Sequence, residues 1–316
     1  MNNYTRPLRK AVNAFDYLLD VIVIILALLL FLYSGYSIWF TRSLAAGSFV
    51  ADELIKYKPT NDSPTLDELQ EVNPDVKSWL TIDGTNIDYP VVQGETYTEY
   101  LNKSATGEFS LAGAIFLTPA NKPDFSDAYN VIYGHHVEGG AMFSDVMNFR
   151  DAEYFETHTG GTLWLTDKVF GIELFAYMEI DALDPVVYQY PGGVTHGELP
   201  GVVDYILGHS VHTRDPRVTE SDSIIVMSTC KDMRTFDRCL LFGKLVPLAD
   251  DEIEHLRDEN QKQQEEIEER IRRKSEGGFP WYPVILGALA LLLFLWLLIL
   301  LLRRRDNGEK YEKEKV

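Results

Sequence analysis

Two uncharged apolar runs near the ends of the chain constrain its architecture more than any other feature. The first run covers residues 21–41 and the second covers residues 281–302. Each is about 20 residues long, the length that an α-helix needs to cross the hydrocarbon core of a bilayer. We therefore predict two transmembrane helices that flank the rest of the chain.

Basic residues beside the two runs predict their orientation. Arg6, Arg9 and Lys10 precede the first run, and three arginines at 303–305 follow the second. The positive-inside rule then places both termini in the cytoplasm and the middle of the chain outside the cell membrane. The first run exceeds the 7–15 apolar residues that are usual in a signal peptide, so we expect an uncleaved anchor.

The part of the chain from the first apolar run through the second is strongly acidic. Residues 21–302 contain 20 lysines and arginines and 42 aspartates and glutamates, a net charge of −22. A surface of this sign repels the phosphate backbone, so nucleic acid is excluded as a partner. The charge is otherwise explained by a solubilising acidic surface.

Short β-prone runs separated by Gly, Asp and Asn turns dominate the middle of the chain. About eight such strands with few helices predict a mainly β fold, a closed or nearly closed eight-stranded β-barrel in one domain. Helical interruptions are expected at 141–148, 152–158 and 199–212. The predicted strands lie at 79–82, 87–92, 114–117, 130–133, 162–165, 169–177, 223–227 and 239–242.

Helical segments are predicted on both sides of the barrel. On the N-terminal side, residues 51–67 suggest a short helix broken by a turn at 58–64, with a second helix starting at Thr65. On the C-terminal side, the charged stretch 250–274 predicts a solvated helical stalk. A coiled-coil seam there is less favoured, because Asn260 and Gln263 occupy its middle positions.

These segments define the expected domain organisation. It comprises a cytoplasmic N-terminus (1–20), a transmembrane helix (21–41), an N-terminal helical segment (42–72), the catalytic barrel (73–249), the stalk (250–280), a second transmembrane helix (281–302) and a cytoplasmic tail (303–316).

The chain contains only two cysteines, Cys230 and Cys239. Two are too few for a disulfide scaffold in an exported domain of this size, so each thiol is either buried and inert or reactive. Cys230 follows the apolar run 224–227 and precedes a polar turn. A thiol at the mouth of a strand can meet a substrate, and its thiolate form is a nucleophile.

A histidine pair and an arginine could join this thiol. His135 and His136 end the run 131–133, and alternation along a strand lets only one of them face a given site. Arg238 lies eight residues after Cys230, and a hairpin of that length would return its guanidinium to the thiol. Cys239 would then point into the barrel wall, as a buried thiol that forms no disulfide.

Three motifs resemble the sortase family. Ile-Val-Met-Ser-Thr-Cys at 225–230 resembles the Thr-Leu-x-Thr-Cys signature of sortases, in the Leu-Ser-Thr-Cys form that is common in class B. Asn-Val-Ile-Tyr-Gly-His-His at 130–136, followed by Gly-Ala-Met-Phe at 140–143, resembles the class B histidine motif. Residues 73–94 are similar to the start of the same class, and the resemblance extends over about 66–246.

The resemblance implies a sortase-type barrel with a catalytic triad. It makes Cys230 the nucleophile, His135 the acid/base partner and Arg238, rather than Arg234, the cation beside the oxyanion. It also implies that the segment 184–222 forms one wall of a substrate groove.

Ser228 and Thr229 are the further site residues that we single out. They are expected to line the substrate groove, although a role as hydrogen-bonding residues at a strand end is equally compatible with the sequence. No metal-ligand cluster or phosphate-binding loop is present in the sequence, so no metal and no cofactor are expected.

The activity implied by the resemblance is a two-step transfer. The thiol attacks the threonine carbonyl of a C-terminal sorting signal, and an amine of a peptidoglycan precursor or a pilin lysine then resolves the thioester. The second membrane helix is more familiar from the pilin-polymerising class C enzymes, but the chain lacks their Asp-Pro-aromatic lid motif and has His-His in place of His-Arg. The core therefore resembles class B, and the acceptor amine stays open.

Two other functions fit part of the sequence. A papain-like hydrolase also uses cysteine and histidine, but its cysteine precedes the histidine and opens a helix, the reverse of the order here. A non-catalytic membrane-anchored scaffold would explain both membrane segments and the acidic surface, but not three ordered motifs.

Overall fold

The computed structural model describes residues 5–48, 54–61, 65–137, 140–188, 193–230 and 237–276. The chain divides into two compact units, Met1–Gln264 and Glu265–Val316. The barrel lies in the first unit. The predicted second membrane run, 281–302, falls outside the described residues.

Eight strands close into a barrel, as the sequence predicts. Their order is β1, β2, β3, β4, β10, β11, β8 and β7, and β7 pairs with β1 to complete the circle. Most neighbours are antiparallel, but β2 with β3 and β4 with β10 are parallel. The described strands are β1 Val76–Ile82, β2 Asp88–Val92, β3 Ile115–Leu117, β4 Tyr129–Tyr133, β5 His136–Val137, β6 Ala141–Met142, β7 Gly160–Trp164, β8 Val169–Asp181, β9 His212–Thr213, β10 Ser223–Cys230 and β11 Asp237–Pro247.

Alternation along the strands divides the core into two layers. In β10, Ile225 and Met227 belong to the cluster inside the barrel, whereas Ile224 and Val226 belong to a second cluster on its outer face. The outer cluster includes apolar residues of the helix at 199–209, which covers this face. A sheet that is apolar on both faces explains why these strands are nearly continuous hydrophobic runs.

Helices occupy the connections and the two ends. The α-helices are α1 Thr5–Ser48, α2 Thr65–Val72, α3 Ala152–Thr157, α4 Leu199–His209 and α5 Asp250–Glu276. Three 3₁₀ helices lie at Ile55–Tyr57, Glu99–Leu101 and Ser144–Arg150.

Helix α1 contains the first apolar run. Its stretch Ala14–Ile38 has 25 residues and a mean hydropathy of 2.6, and none of that stretch is buried against the rest of the chain. It is the one helix in the described residues that is long and apolar enough to cross a membrane. The length and composition are those of a possible N-terminal membrane anchor.

The helix predicted at 141–148 is wrong in its first part. Residues Ala141–Met142 form strand β6, which pairs with β5, and only Ser144–Arg150 is helical, as a 3₁₀ helix. Gly140 and Met142 have φ angles of 86° and 55°, which an α-helix does not allow. Two other helices end earlier than expected, α3 at Thr157 and α4 at His209.

The first half of α5 packs on residues 55–60, the 3₁₀ helix and the short stretch after it that precede α2. Asn260 is buried and donates its side-chain amide to the Pro59 carbonyl at 2.7 Å. Gln264 donates to the carbonyls of Ile55 at 2.7 Å and Lys58 at 3.0 Å. The expected fully solvated stalk is therefore wrong for this half of α5, because its polar residues bind backbone carbonyls of the N-terminal segment.

A buried lysine joins this contact to the barrel. The Lys58 ammonium is 1% exposed, and it lies 2.8 Å from the Asp88 carboxylate of β2 and 2.9 Å from the Gln263 side-chain oxygen. Asp88 also accepts from the indole N–H of Trp79 at 2.7 Å. These bonds offset the large cost of taking an ammonium group out of water.

We expect Lys58→Met to destabilise the protein by about 2 kcal/mol, since the variant loses the bonds of the buried ammonium to Asp88 and Gln263. Lys56→Met is the control, because Lys56 is exposed two residues earlier. We expect it to change the stability by less than about 0.5 kcal/mol. Thermal unfolding of the detergent-solubilised chain measures both, and equal unfolding temperatures would contradict the role of Lys58.

Candidate active site

A cavity of about 390 Å³ lies where β4, β10 and β11 meet at one end of the barrel. All five residues singled out from the sequence line it, namely His135, Ser228, Thr229, Cys230 and Arg238. A larger cavity of about 460 Å³ lies beside β7, β8 and the start of α5, and none of these five residues lines it. The chemistry of the side chains therefore favours the smaller cavity as the functional site.

Cys230 and Arg238 lie opposite each other on the adjacent strands β10 and β11. They are register partners at the ends of β10 and β11, so their side chains lie on the same face of the sheet. Cys230 is partly exposed, so its thiol is accessible to a molecule in the cavity. The connection at 231–236, which contains Arg234, falls outside the described residues.

The backbone next to His135 is fixed by its neighbours. The Gly134 amide donates to the Ser228 carbonyl at 3.1 Å, and the Phe143 amide donates to the His135 carbonyl at 3.1 Å. A Cβ at Gly134 would lie 2.7 Å from the Phe143 ring, so a glycine is needed here. His136 pairs with Met142 in the β5–β6 hairpin and does not line the cavity.

The imidazole of His135 has a partner that sequence reasoning missed. Its Nε2–H donates to the backbone carbonyl of Leu101 at 3.2 Å. Leu101 ends the 3₁₀ helix Glu99–Leu101 in the connection between β2 and β3. A backbone carbonyl has no side-chain signature, so no sequence motif could have identified it.

Ser228 is tied to the opposite wall of the cavity. Its hydroxyl lies 2.9 Å from the Tyr188 hydroxyl, which belongs to the segment between β8 and α4. Burial raises the pKa of Tyr188, although its hydrogen bond with Ser228 and the nearby charge of Arg238 act in the opposite direction. Tyr188 therefore stays a neutral phenol that can donate or accept, and the sequence-based search missed it.

Thr229 is placed differently from Ser228. It is the register partner of Cys239, so its side chain lies on the inner face of the barrel, opposite to that of Ser228. Its hydroxyl oxygen is buried and has no hydrogen-bond partner among the described residues. The two residues therefore line the cavity from different faces of the same strand.

Aromatic side chains form another wall. Tyr133 packs against Phe116 at a centroid distance of 5.4 Å and against Tyr97 at 6.4 Å. Burial raises the pKa of Tyr133 to about 12, with a further contribution from Tyr97. The wall is uncharged and aromatic, as is common in ligand-binding cavities.

Cys239 lies away from the cavity. It is fully buried inside the barrel and accepts a hydrogen bond from the Tyr177 hydroxyl at 3.3 Å. Both cysteines are free thiols. Burial raises the pKa of Tyr177, and the thiol and Glu179 beside it act in the same direction.

Comparison with known proteins identifies relatives of this chain. A sortase-domain family model matches residues 80–246. Sortase B of Listeria monocytogenes is 31% identical over 189 residues, which cover 57% of this chain and 74% of that protein. A Streptococcus pyogenes class B sortase involved in pilus biogenesis is 38% identical, with a TM-score of 0.53 over 57% of this chain and 96% of that one. Sortase B from the type II pilus of Streptococcus pneumoniae is 38% identical, with a TM-score of 0.50 over 57% of this chain and 98% of that one.

The family match covers more than half of the chain and includes Cys230, His135 and Arg238, which line one cavity. The chain therefore belongs to the sortase family of cysteine transpeptidases and is of the class B type.

Proposed function

We propose that this protein cleaves a C-terminal sorting signal after threonine and joins the acyl group to an amine of a cell-wall precursor. The observation that supports this most is the single cavity that contains Cys230, His135 and Arg238. A thiol, an acid/base group and a fixed cation are what acyl transfer from an amide requires.

In the first step, the Cys230 thiol gives its proton to His135, and its sulfur forms a bond to the threonine carbonyl carbon. The Arg238 guanidinium stabilises the developing oxyanion, because a guanidinium presents a planar set of N–H donors to one oxygen. His135 gives a proton to the amine as the amide bond breaks, and the amine leaves with the C-terminal part of the signal. The product is a thioester between Cys230 and the sorted protein.

In the second step, an acceptor amine attacks the thioester carbonyl and loses its proton to His135. Cys230 is released as the thiolate, and a new amide bond joins donor and acceptor. Two acceptors are compatible with this chemistry, the amine of a peptidoglycan precursor and a lysine of a pilin subunit. The pilin lysine is favoured as a second candidate by two pilus-associated relatives that are each 38% identical to this chain.

Purified full-length chain, incubated with sorting-signal peptides and a panel of amines, tests this proposal. A transpeptidase yields the amide adduct of the peptide and the amine, whereas a protease yields only the free acid. A non-catalytic scaffold yields neither product. Comparing a peptidoglycan-type amine with a pilin lysine peptide then identifies the acceptor.

The proposed membrane topology has two spans, with the barrel outside and both termini in the cytoplasm. It is supported by the apolar helix α1, by the apolar run at 281–302 and by the basic residues flanking both. The domain boundaries given above, including the barrel at 73–249, belong to the same proposal.

We expect protease added to intact protoplasts to digest the barrel while tags on Met1 and Val316 survive. Immunoblotting of both tags measures this, with lysed protoplasts as the control in which both tags disappear. Loss of the Val316 tag from intact protoplasts would contradict the orientation of the second span.

A further inference from the structure

We propose that the loop between β2 and β3 positions the imidazole of His135 through the Leu101 carbonyl, and that Gly113 and Tyr100 hold this carbonyl in place. This loop, residues 93–114, is called the β2–β3 loop. The inference rests on the acid/base role proposed for His135. It assigns a positioning role to two residues that lie outside the family motifs at 130–136 and 225–230.

The hydrogen bond between His135 and Leu101 can persist through catalysis. A carbonyl oxygen only accepts, so Nε2 must carry the proton in the 3.2 Å contact. Nε2–H is a donor in the neutral imidazole of this tautomer and also in the imidazolium. The proton that moves during amide cleavage is therefore the one on Nδ1, while the bond at Nε2 fixes the ring.

Gly113 packs directly against the carbonyl that matters. A Cβ at Gly113 would lie 2.6 Å from the Leu101 oxygen and 2.5 Å from the Tyr100 oxygen. Its φ angle is 63°, so a side chain would also strain the backbone there. Any residue other than glycine must push the two carbonyls away, and the ring of His135 would lose its acceptor.

The side chain of Tyr100 anchors the same loop through hydrogen bonds to residues that precede β1. Its ring is 1% exposed, and its hydroxyl donates to the Asp75 carboxylate at 2.7 Å and accepts from the Asn73 amide at 3.0 Å. The Tyr100 carbonyl accepts from the Ala114 amide at 3.0 Å. These bonds fix the residue next to Leu101 to the segment before β1 and to the C-terminal end of the loop, so the carbonyl of Leu101 has a defined position.

Gly107 provides a matched control within the same loop. Its φ angle is 88°, so alanine is strained there as it is at Gly113. A Cβ at Gly107 would meet only the side chain of Lys103, at 3.7 Å. The two alanine variants therefore differ in whether they displace the carbonyl of Leu101.

The test compares Gly113→Ala with Gly107→Ala in the full-length, detergent-solubilised chain, using two forms of one sorting peptide. One form has the normal amide at the scissile bond and the other has an ester. An ester releases an alcohol, which needs much less protonation than an amine does. We expect Gly113→Ala to lower kcat for the amide by about 10–100-fold, with KM nearly unchanged. We expect a much smaller loss for the ester, and near wild-type rates for Gly107→Ala on both.

Two further measurements distinguish a displaced His135 ring from a general loss of folded protein. Alkylation of Cys230 counts the folded active sites, and rates are expressed per alkylated site. A slowly exchanging Nε2 proton of His135, detected by NMR in isotope-labelled protein, should be present in the wild type and in Gly107→Ala. It should be lost in Gly113→Ala.

Equal losses on amide and ester, or a full amide rate in Gly113→Ala, would overturn the inference. If Gly113→Ala fails to fold, Tyr100→Phe takes its place, because it removes only the hydroxyl and keeps the buried ring. Tyr100→Phe should also lose more activity on the amide than on the ester. Equal losses on the two peptides in this variant would also overturn the inference. If the wild-type chain transferred neither peptide, the proposed function would be wrong. If the wild type were active but the variants lost the same activity on amide and ester, only the positioning role would be wrong.

Discussion

Cys230→Ala should abolish formation of the thioester intermediate altogether. The thiol is the only group at the cavity that the proposed mechanism allows to form the acyl bond, and alanine has no nucleophilic atom. Intact-mass spectrometry of the chain after brief incubation with a sorting peptide measures the adduct. We expect a mass increase equal to the acyl group in the wild type and none in Cys230→Ala.

Cys239→Ala is the matched control for this experiment. Cys239 is fully buried and bonded to the Tyr177 hydroxyl, so it cannot reach a substrate. The variant should keep the adduct and most of the activity, with a stability loss of about 1 kcal/mol from the lost hydrogen bond. An adduct that persisted in Cys230→Ala and disappeared in Cys239→Ala would reverse the assignment of the nucleophile.

Arg238→Lys should lower the acylation rate by about 10²–10³-fold, which is the usual effect of losing one oxyanion donor. The guanidinium of arginine presents several N–H donors in one plane. The ammonium of lysine is compact and reproduces this planar arrangement of donors poorly. The register of β10 and β11 places this residue directly opposite Cys230. Single-turnover acylation, with Cys230 alkylation as the measure of folded sites, gives the rate.

Arg234→Lys is the comparison for Arg238→Lys, because Arg234 lies in the connection between the same two strands. We expect little change in its acylation rate. If the two variants ranked in the opposite order, the cation beside the oxyanion would be Arg234. A loss of Cys230 alkylation in Arg238→Lys would instead indicate that the arginine supports the fold of the site.

The barrel was predictable because its strands carry local signals. The run at 223–227 is apolar on both faces, and the structure extends it through Cys230 as β10. The meeting of His135, Cys230 and Arg238 could also be predicted locally, since Cys230 and Arg238 lie at the ends of β10 and β11 and His135 follows β4 by two residues. Strand ends that share one end of a barrel come together whatever the side chains are.

The remaining contacts depend on tertiary structure that no local pattern encodes. Asn260 looked like a flaw in a coiled-coil seam, but it binds the Pro59 carbonyl. Tyr188 meets Ser228 across 40 positions in the chain. The Leu101 carbonyl is backbone, so its role at His135 depends only on where the β2–β3 loop lies.

The docking of α5 on the segment around Lys58 has a consequence for the order of folding. The bond between Asn260 and Pro59 joins residues 201 positions apart, and that between Gln264 and Ile55 joins residues 209 positions apart. Contacts of such high sequence separation form late, because the long intervening loop must close first. During synthesis from the N-terminus, β1 and β2 are therefore made long before the helix that completes the surroundings of Lys58. The barrel reaches its full stability only after α5 has been made and has docked on residues 55–60.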